Sequence, residues 1–303
     1  MRKTTIILLA GIIAFSACKK DDSTTSTPSL QGLSVSEAIP YVAIGEELVF
    51  KAGTSSLYTS DDTTPSPIGL FWQVNSARRD TLTRDIKTGN PEFRYTADTL
   101  GYYTVACYAY ANGYYNSSAV VAFEAINPEE ALTGTASSTS ITVDGKEWTA
   151  RNLNKEGVGV SYKNAGVVDP LFGRLYTWEE ASSACPDGWH LPTAQEWDAL
   201  GTNAGALMAP AKFLDDDMWT PALGQDITNS TGFNAIPVGY MDTSASVTQF
   251  RRYGEMAAFW TASDAASDTS LAQFRFILYD SQEIMKGNGS KTSLALNVRC
   301  VKD

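Results

Sequence analysis

Cysteine placement constrains this chain more than any other feature. Its four cysteines, Cys18, Cys107, Cys185 and Cys300, stand too far apart for a Cys-x-x-Cys knuckle, so each is a lone thiol or half of a long-range bridge. The compartment bears on which. Arg2-Lys3 precedes an apolar run from Ile6 to Phe15, which as a helix rises only ~15 Å, too short for a ~30 Å hydrocarbon core. A basic start, a short apolar stretch and the small pair Ser16-Ala17 read as a cleavable secretory signal over residues 1–17. In an oxidising compartment Cys185 and Cys300, in the same half of the chain, pair most economically. Such a bridge closes a loop worth ~4–5 kcal/mol in the chain-entropy model. The alternative is two separate buried thiols. Cys107 has no neighbour to pair with and reads as a small buried hydrophobe.

Charge and histidine count remove whole classes of function. Lys and Arg total 23 against 34 Asp and Glu, a formal charge of −11, which repels phosphate backbones and argues against nucleic acid as a partner. The only histidine is His190. A two-His zinc site and His-Glu-x-x-His are therefore impossible, and one His general base at most is available. Gly287-Asn-Gly-Ser-Lys291-Thr carries Ser290 where a phosphate loop needs glycine before the lysine. The expectation is a chain without cofactor, metal or catalytic residues.

After the signal, residues 18–32 include the Ser/Thr/Pro run Ser23 to Ser29 and read as a flexible tether. Residues 33–128 alternate in short β-type runs at Leu48–Phe50, Leu70–Val74, Phe93–Tyr95, Leu100–Tyr110 and Val120–Phe123, separated by turn-rich stretches. That pattern predicts an all-β antiparallel sandwich, with Trp72 buried between its sheets. Tyr102 or Tyr103 is placed to anchor a corner. The aromatic stripe Tyr102, Tyr103, Tyr108, Tyr110, Tyr114, Tyr115 is read as core and edge packing. Residues 129–140 are polar, with Gly and small residues, and read as a linker.

Residues 141–303 have a different texture. Thr177-Trp-Glu-Glu180 and Thr193-Ala-Gln-Glu196 each match a capping box, predicting helices through Ala184 and to about Ala204. Strands are expected at Phe233–Val238, Ala257–Ser263, Leu271–Tyr279 and Leu294–Val301. Helices beside an antiparallel sheet make an α+β domain.

Several segments also carry family resemblances. Phe15-Ser-Ala-Cys18 resembles a bacterial lipobox, in which that cysteine becomes the acylated first residue, and Lys19-Lys-Asp-Asp22 is similar to the acidic export tag of Bacteroidetes surface lipoproteins. One acyl chain binds membranes marginally; lipoproteins of this kind carry three. The resemblance implies membrane attachment through Cys18, at the outer membrane and facing the cell surface. The run Leu100–Tyr110 resembles a late strand of Ig-like or PKD-like modules, which implies a spacer domain. Val143-Asp-Gly-Lys-Glu-Trp148, Gly173-Arg-Leu-Tyr-Thr-Trp178, Cys185-Pro-Asp-Gly-Trp-His-Leu-Pro-Thr-Ala-Gln-Glu-Trp197, Gly232–Tyr240, Phe259–Ser263 and Val298-Arg-Cys300 together resemble the Fibrobacter succinogenes major paralogous (FISUMP) domain. That family is similar to the C-type lectin-like fold, which implies a helix-to-last-strand disulfide between Cys185 and Cys300.

On this reading the chain displays a lectin-like domain that binds an extracellular glycan or protein without catalysis. The ligand face is expected on the loops 241–256 and 280–291, with Arg251, Arg252, Tyr253, Tyr279 and Asp280 as binding residues because Arg and Tyr suit recognition surfaces. His190 and the tryptophans are read as core. Two alternatives stand beside it. One is a structural envelope protein without a discrete ligand. The other is a carbohydrate-active enzyme built on the carboxylates of Glu179, Glu180, Glu196 and Asp215–Asp217.

Overall fold

The computed structural model describes residues 30–36, 39–53, 68–76, 79–85, 91–112, 116–244 and 248–303; the signal segment and Cys18 lie outside them. The first unit is built from β1 (Ser34–Val35), β2 (Tyr41–Ala43), β3 (Glu47–Gly53), β4 (Gly69–Ser76), β5 (Arg79–Asp85), β6 (Glu92–Thr96), β7 (Gly101–Tyr110) and β8 (Ser117–Ile126). Among the described residues these form a sheet ordered β1-β3-β6 and a larger one ordered β2-β8-β7-β4-β5. All pairings are antiparallel except β2 with β8. The two sheets close over one apolar core, a sandwich. Trp72 is fully buried, and its ring stacks on Phe93 of the facing sheet at 5.5 Å.

Alternation along β7 decides which aromatics are core. Tyr103, Val105, Cys107 and Ala109 are buried, while Tyr102 and Tyr110 are more than a third exposed, as period-two geometry requires. Tyr103 is the corner residue: its hydroxyl donates to the Thr99 carbonyl at 2.8 Å. Cys107 is a free, buried thiol, and burial pushes its pKa up to about 12. Leu30, which the sequence places in the tether, is buried in this core.

The second unit begins earlier than the polar stretch 129–140 suggests. It comprises β9 (Leu132–Thr133), β10 (Ser140–Val143), β11 (Lys146–Thr149), α1 (Asp169–Phe172), β12 (Tyr176–Thr177), α2 (Trp178–Ala181), β13 (Trp189–His190), α3 (Ala194–Ala199), α4 (Ala204–Leu207), β14 (Lys212–Phe213), β15 (Asp216–Asp217), β16 (Tyr240–Asp242), β17 (Gln249–Arg251), β18 (Met256–Ala265), β19 (Asp268–Leu278), β20 (Met285–Ser290), β21 (Leu294–Leu296) and β22 (Val301–Lys302). β9 pairs with β14, and the Ala136 N–H donates to Asn234 Oδ1 at 2.8 Å. The stretch read as a linker is thus bound into the second unit.

Described residues of this unit are mostly in strands and loops, and the expected helices are short. Both capping boxes form, at Thr177 with Glu180 and at Thr193 with Glu196. α2 nevertheless ends at Ala181, ahead of Cys185-Pro186, where the bridge to Cys300 and a proline turn the chain away. α3 ends at Ala199, and Gly201 follows with φ of 86°. Phe233–Val238, expected as a strand, is a buried irregular segment, because Asn234 takes a left-handed φ of 57°.

What holds that segment is Arg299. It is fully buried, and its donors go to Asn152 Oδ1 and to the carbonyls of Thr149, Phe233 and Asn234 at 2.7–3.0 Å. Its guanidinium lies 4.3 Å from the centre of the Phe233 ring. Burial lowers its pKa to about 9. Next to it in sequence, Cys300 is bonded to Cys185 across a separation of 115 residues, with Cα atoms 5.9 Å apart.

The two units share apolar packing. Ile126 at the end of β8 belongs to a core cluster with Phe172, Phe213 and Ile236, and the Tyr41 ring meets Phe213 edge-on at 5.1 Å. The first domain is therefore seated on the second.

Candidate functional site

The site is set by one sheet, ordered β10-β11-β22-β13. Ile141-Thr-Val143 and Lys146-Glu-Trp148 face each other across the two-residue loop Asp144-Gly145. Both loop residues have positive φ, 49° and 75°, the conformation that matches hairpin twist and that Asp-Gly favours. β22 pairs with β11 on one side and with β13 on the other, which places His190 across the sheet from the hairpin. Three residues later Thr193 caps α3. Asp198 fixes the far side of that helix, accepting from Arg275 Nε at 3.0 Å and Lys286 Nζ at 2.8 Å.

Between hairpin and helix opens a cavity of about 380 Å³, within the roughly 300–1,000 Å³ typical of ligand pockets. Its apolar lining is Val143, Trp148, Ala199 and Leu200; its polar lining includes Asp144, Lys146, His190, Thr193, Gln195 and Glu196. Trp148 is buried against Trp197 and Phe233, with ring centres 5.3 and 6.1 Å away.

The charged groups form one chain of contacts. Glu196 accepts from Lys146 Nζ at 2.7 Å, from the Thr193 N–H at 2.8 Å and from the Thr193 hydroxyl at 3.0 Å. His190 Nε2 lies 3.1 Å from Glu196 Oε1, and its Nδ1 lies 2.7 Å from Asp303 Oδ1. Burial raises the Glu196 pKa, but the hydrogen bonds from Lys146, Thr193 and His190 outweigh it and bring it to about 2. A carboxylate so held stays ionised and has no proton to give. His190 has a carboxylate at each ring nitrogen, and a neutral imidazole donates from only one. The group thus lines the base of the cavity with mutually paired polar side chains.

The binding residues expected from sequence sit elsewhere. Arg251 ends β17 and is exposed; Arg252 follows with φ of 59° and faces Glu255 at 3.4 Å. The Tyr279 N–H donates to the Glu255 carbonyl, and Asp280 is exposed beyond it. Of these four, Arg252 and Tyr279 meet at Glu255. Tyr253 does not present its ring outward: it packs on Tyr162 at 5.3 Å and Phe172 at 6.0 Å, and burial raises its pKa. Within residues 241–256, expected as a ligand loop, Met241–Asp242 and Gln249–Arg251 are drawn into the β16–β17 pair; 245–247 lie outside the described residues. Asp216 and Asp217 form β15, paired with β14, and Lys212 lies 3.4 Å from Asp217. Among the described residues no group of three or more His, Cys, Asp and Glu side chains is placed to hold a metal ion.

Sequence reasoning read Glu196 as a helix cap and His190 as core, so the cavity was missed. The available signal was Asp144-Gly145 between two alternating runs, which announces a hairpin tip.

Fold and site define a two-part, mostly β protein with a disulfide-locked C-terminal unit and a small polar-floored cavity. Residues 135–302 match the Fibrobacter succinogenes major domain model, and the chain belongs to that family. No curated protein matches it. Among solved structures, the PKD domain of the human VPS10 domain-containing receptor SorCS2 is 18% identical, with a TM-score of 0.25 over 39% of this chain and 98% of that one. The Yersinia pseudotuberculosis adhesin InvE is 12% identical, with a TM-score of 0.28 over 90% of this chain and 71% of that one. At those scores neither likeness decides fold or function. Among the described residues no helix is long and apolar enough to cross a membrane.

Proposed function

We propose that this chain is a lipoprotein anchored through Cys18 at the outer membrane and displayed at the cell surface, where its C-terminal domain, of the C-type lectin-like class, binds a glycan or protein without catalysis. The observation that carries the reading is the cavity beside α3. Its wall is apolar, its rim is polar, and its ionisable floor is locked in mutual contacts. Such a surface favours recognition over proton transfer, since Glu196 remains charged far below neutral pH. The sandwich, seated on the second unit by Tyr41 and Ile126, serves as a rigid stalk rather than a loose spacer. A second reading, a structural envelope protein without a discrete ligand, draws on the pairing of residues 240–242 with 249–251 into strands where a ligand loop was expected.

Three measurements on one preparation test the proposal. Mass spectrometry of the mature N-terminus should find acylated Cys18. Protease treatment of intact cells should release the folded part. A glycan and cell-wall array, with and without calcium, should show saturable binding by the folded chain. Silence on every surface, with folding verified, would favour the structural reading.

A further inference from the structure

The lining of the cavity restricts what fits it, and four kinds of occupant can be compared. An acidic ligand meets the carboxylates of Asp144 and Glu196, with Asp303 behind His190. A cationic ligand must displace or crowd Lys146, whose ammonium already holds Glu196 at 2.7 Å. A wholly apolar ligand would bury Asp144 and Gln195 without partners, which costs about 1–3 kcal/mol for each polar group, and would cover the two N–H donors that Lys146 keeps beside its bond to Glu196. A hydroxyl-rich ring with apolar C–H faces avoids all three penalties. Each hydroxyl both donates and accepts, so one hydroxyl satisfies a carboxylate and a neighbouring ammonium at once.

We infer that this cavity is a subsite for one neutral sugar ring, with Asp144, Lys146 and Gln195 as its polar contacts and the partly exposed Val143 and Leu200 as its apolar wall, backed by the buried Trp148. This rests on the non-catalytic binding reading above and names the ligand class of that site. Three features support it. Among the described residues the side chains of Asp144 and Gln195 have no partner, and both are exposed at the rim. Lys146 is fixed by one bond to Glu196 and keeps two further N–H donors. The carriers are rigid: a two-residue turn holds Asp144, and α3 is capped at Thr193 and tied through Asp198. The place is also distinct from Arg251, Arg252, Tyr279 and Asp280, none of which lines the cavity.

The test titrates the full chain with methyl glycosides of glucose, galactose, mannose and N-acetylglucosamine, and with methyl glucuronoside, following tryptophan fluorescence and heat. D144N keeps a residue suited to positive φ beside Gly145, and Q195A lies on an exposed helix face, so both should melt as the parent does. At least one neutral glycoside should bind saturably at millimolar concentration. The double variant D144N/Q195A should bind it at least tenfold more weakly. Binding of the glucuronoside alone, or neutral-sugar binding that the double variant leaves intact, would overturn the proposal. Binding of envelope proteins with no sugar binding would overturn it while leaving the recognition reading standing. Failure to bind any array surface as well would remove both.

Discussion

Reducing the bond between Cys185 and Cys300 should cost this protein a large part of its stability, and the size can be worked out. The bond spans 115 residues. In the chain-entropy model, closing a loop of that length removes about 4.8 kcal/mol of denatured-state freedom at 25 °C. Net stabilities of folded domains run to only about 5–15 kcal/mol. With a urea m-value of roughly 2 kcal/mol/M, the midpoint should fall by about 2.4 M on reduction, and m itself should rise as the denatured chain expands. The comparison uses one polypeptide under two redox conditions, so no side chain changes. Cys107 is exposed on unfolding and there regains an ordinary thiol pKa, so the oxidised sample is kept at about pH 5, where little thiolate is available for exchange. Equilibrium urea unfolding by far-UV circular dichroism, with and without a phosphine reductant, reads the shift. A midpoint that moves by less than 0.5 M (about 1 kcal/mol) would refute the idea that a long-loop constraint holds this unit together.

Three further outcomes are expected. Glu196 should make stability pH-dependent: its folded pKa of about 2 lies below the ordinary glutamate value of 4.5, so its contribution is complete above about pH 5 and is lost as pH falls towards 2, by up to about 3 kcal/mol. An E196Q variant should flatten that part of the pH–stability curve, and an unchanged slope would speak against the Lys146–Glu196–His190 contacts. Arg299→Met should destabilise by about 3 kcal/mol or more in chemical denaturation, because four acceptors around residues 149, 152, 233 and 234 lose their donors; parent-like stability would show that the buried charge is dispensable. Tyr41→Ala should remove about 2 kcal/mol of packing at the seam with Phe213 and split a single calorimetric transition into two, whereas two transitions already in the parent would show that the units fold independently.

Much of the architecture was legible because local signals act locally. The alternation of β7, the Thr-x-x-Glu boxes and the long Met256–Leu278 hairpin follow from period, capping chemistry and strand propensity. The cysteine pairing followed from compartment and counting. Other parts rest on long-range partners that a sequence does not display. Phe233–Val238 alternates like a strand, yet it is irregular because Arg299, more than sixty residues away, binds its carbonyls. Tyr253 reads as a surface aromatic beside two arginines, yet its ring meets Tyr162, brought in by another element. Helix lengths were overestimated because capping fixes where a helix starts and says nothing about where it stops: α2 ends ahead of Cys185-Pro186, and α3 ends ahead of Gly201 with its positive φ. The cavity was hidden for a related reason. Glu196 had one sufficient local explanation, its capping box, and its contacts with Lys146 and His190 exist only once β22 brings β11 and β13 together.

A footprint of the bound state tests the central claim most directly. Amide hydrogen exchange of the full chain, measured with and without its best array ligand, should show slowed exchange at residues 143–148 and 193–200, the hairpin tip and α3, with no change at 249–253 or 279–285. Slowing confined to 249–253 and 279–285, with 143–148 and 193–200 unaffected, would move recognition to the loops around Glu255 and contradict the account.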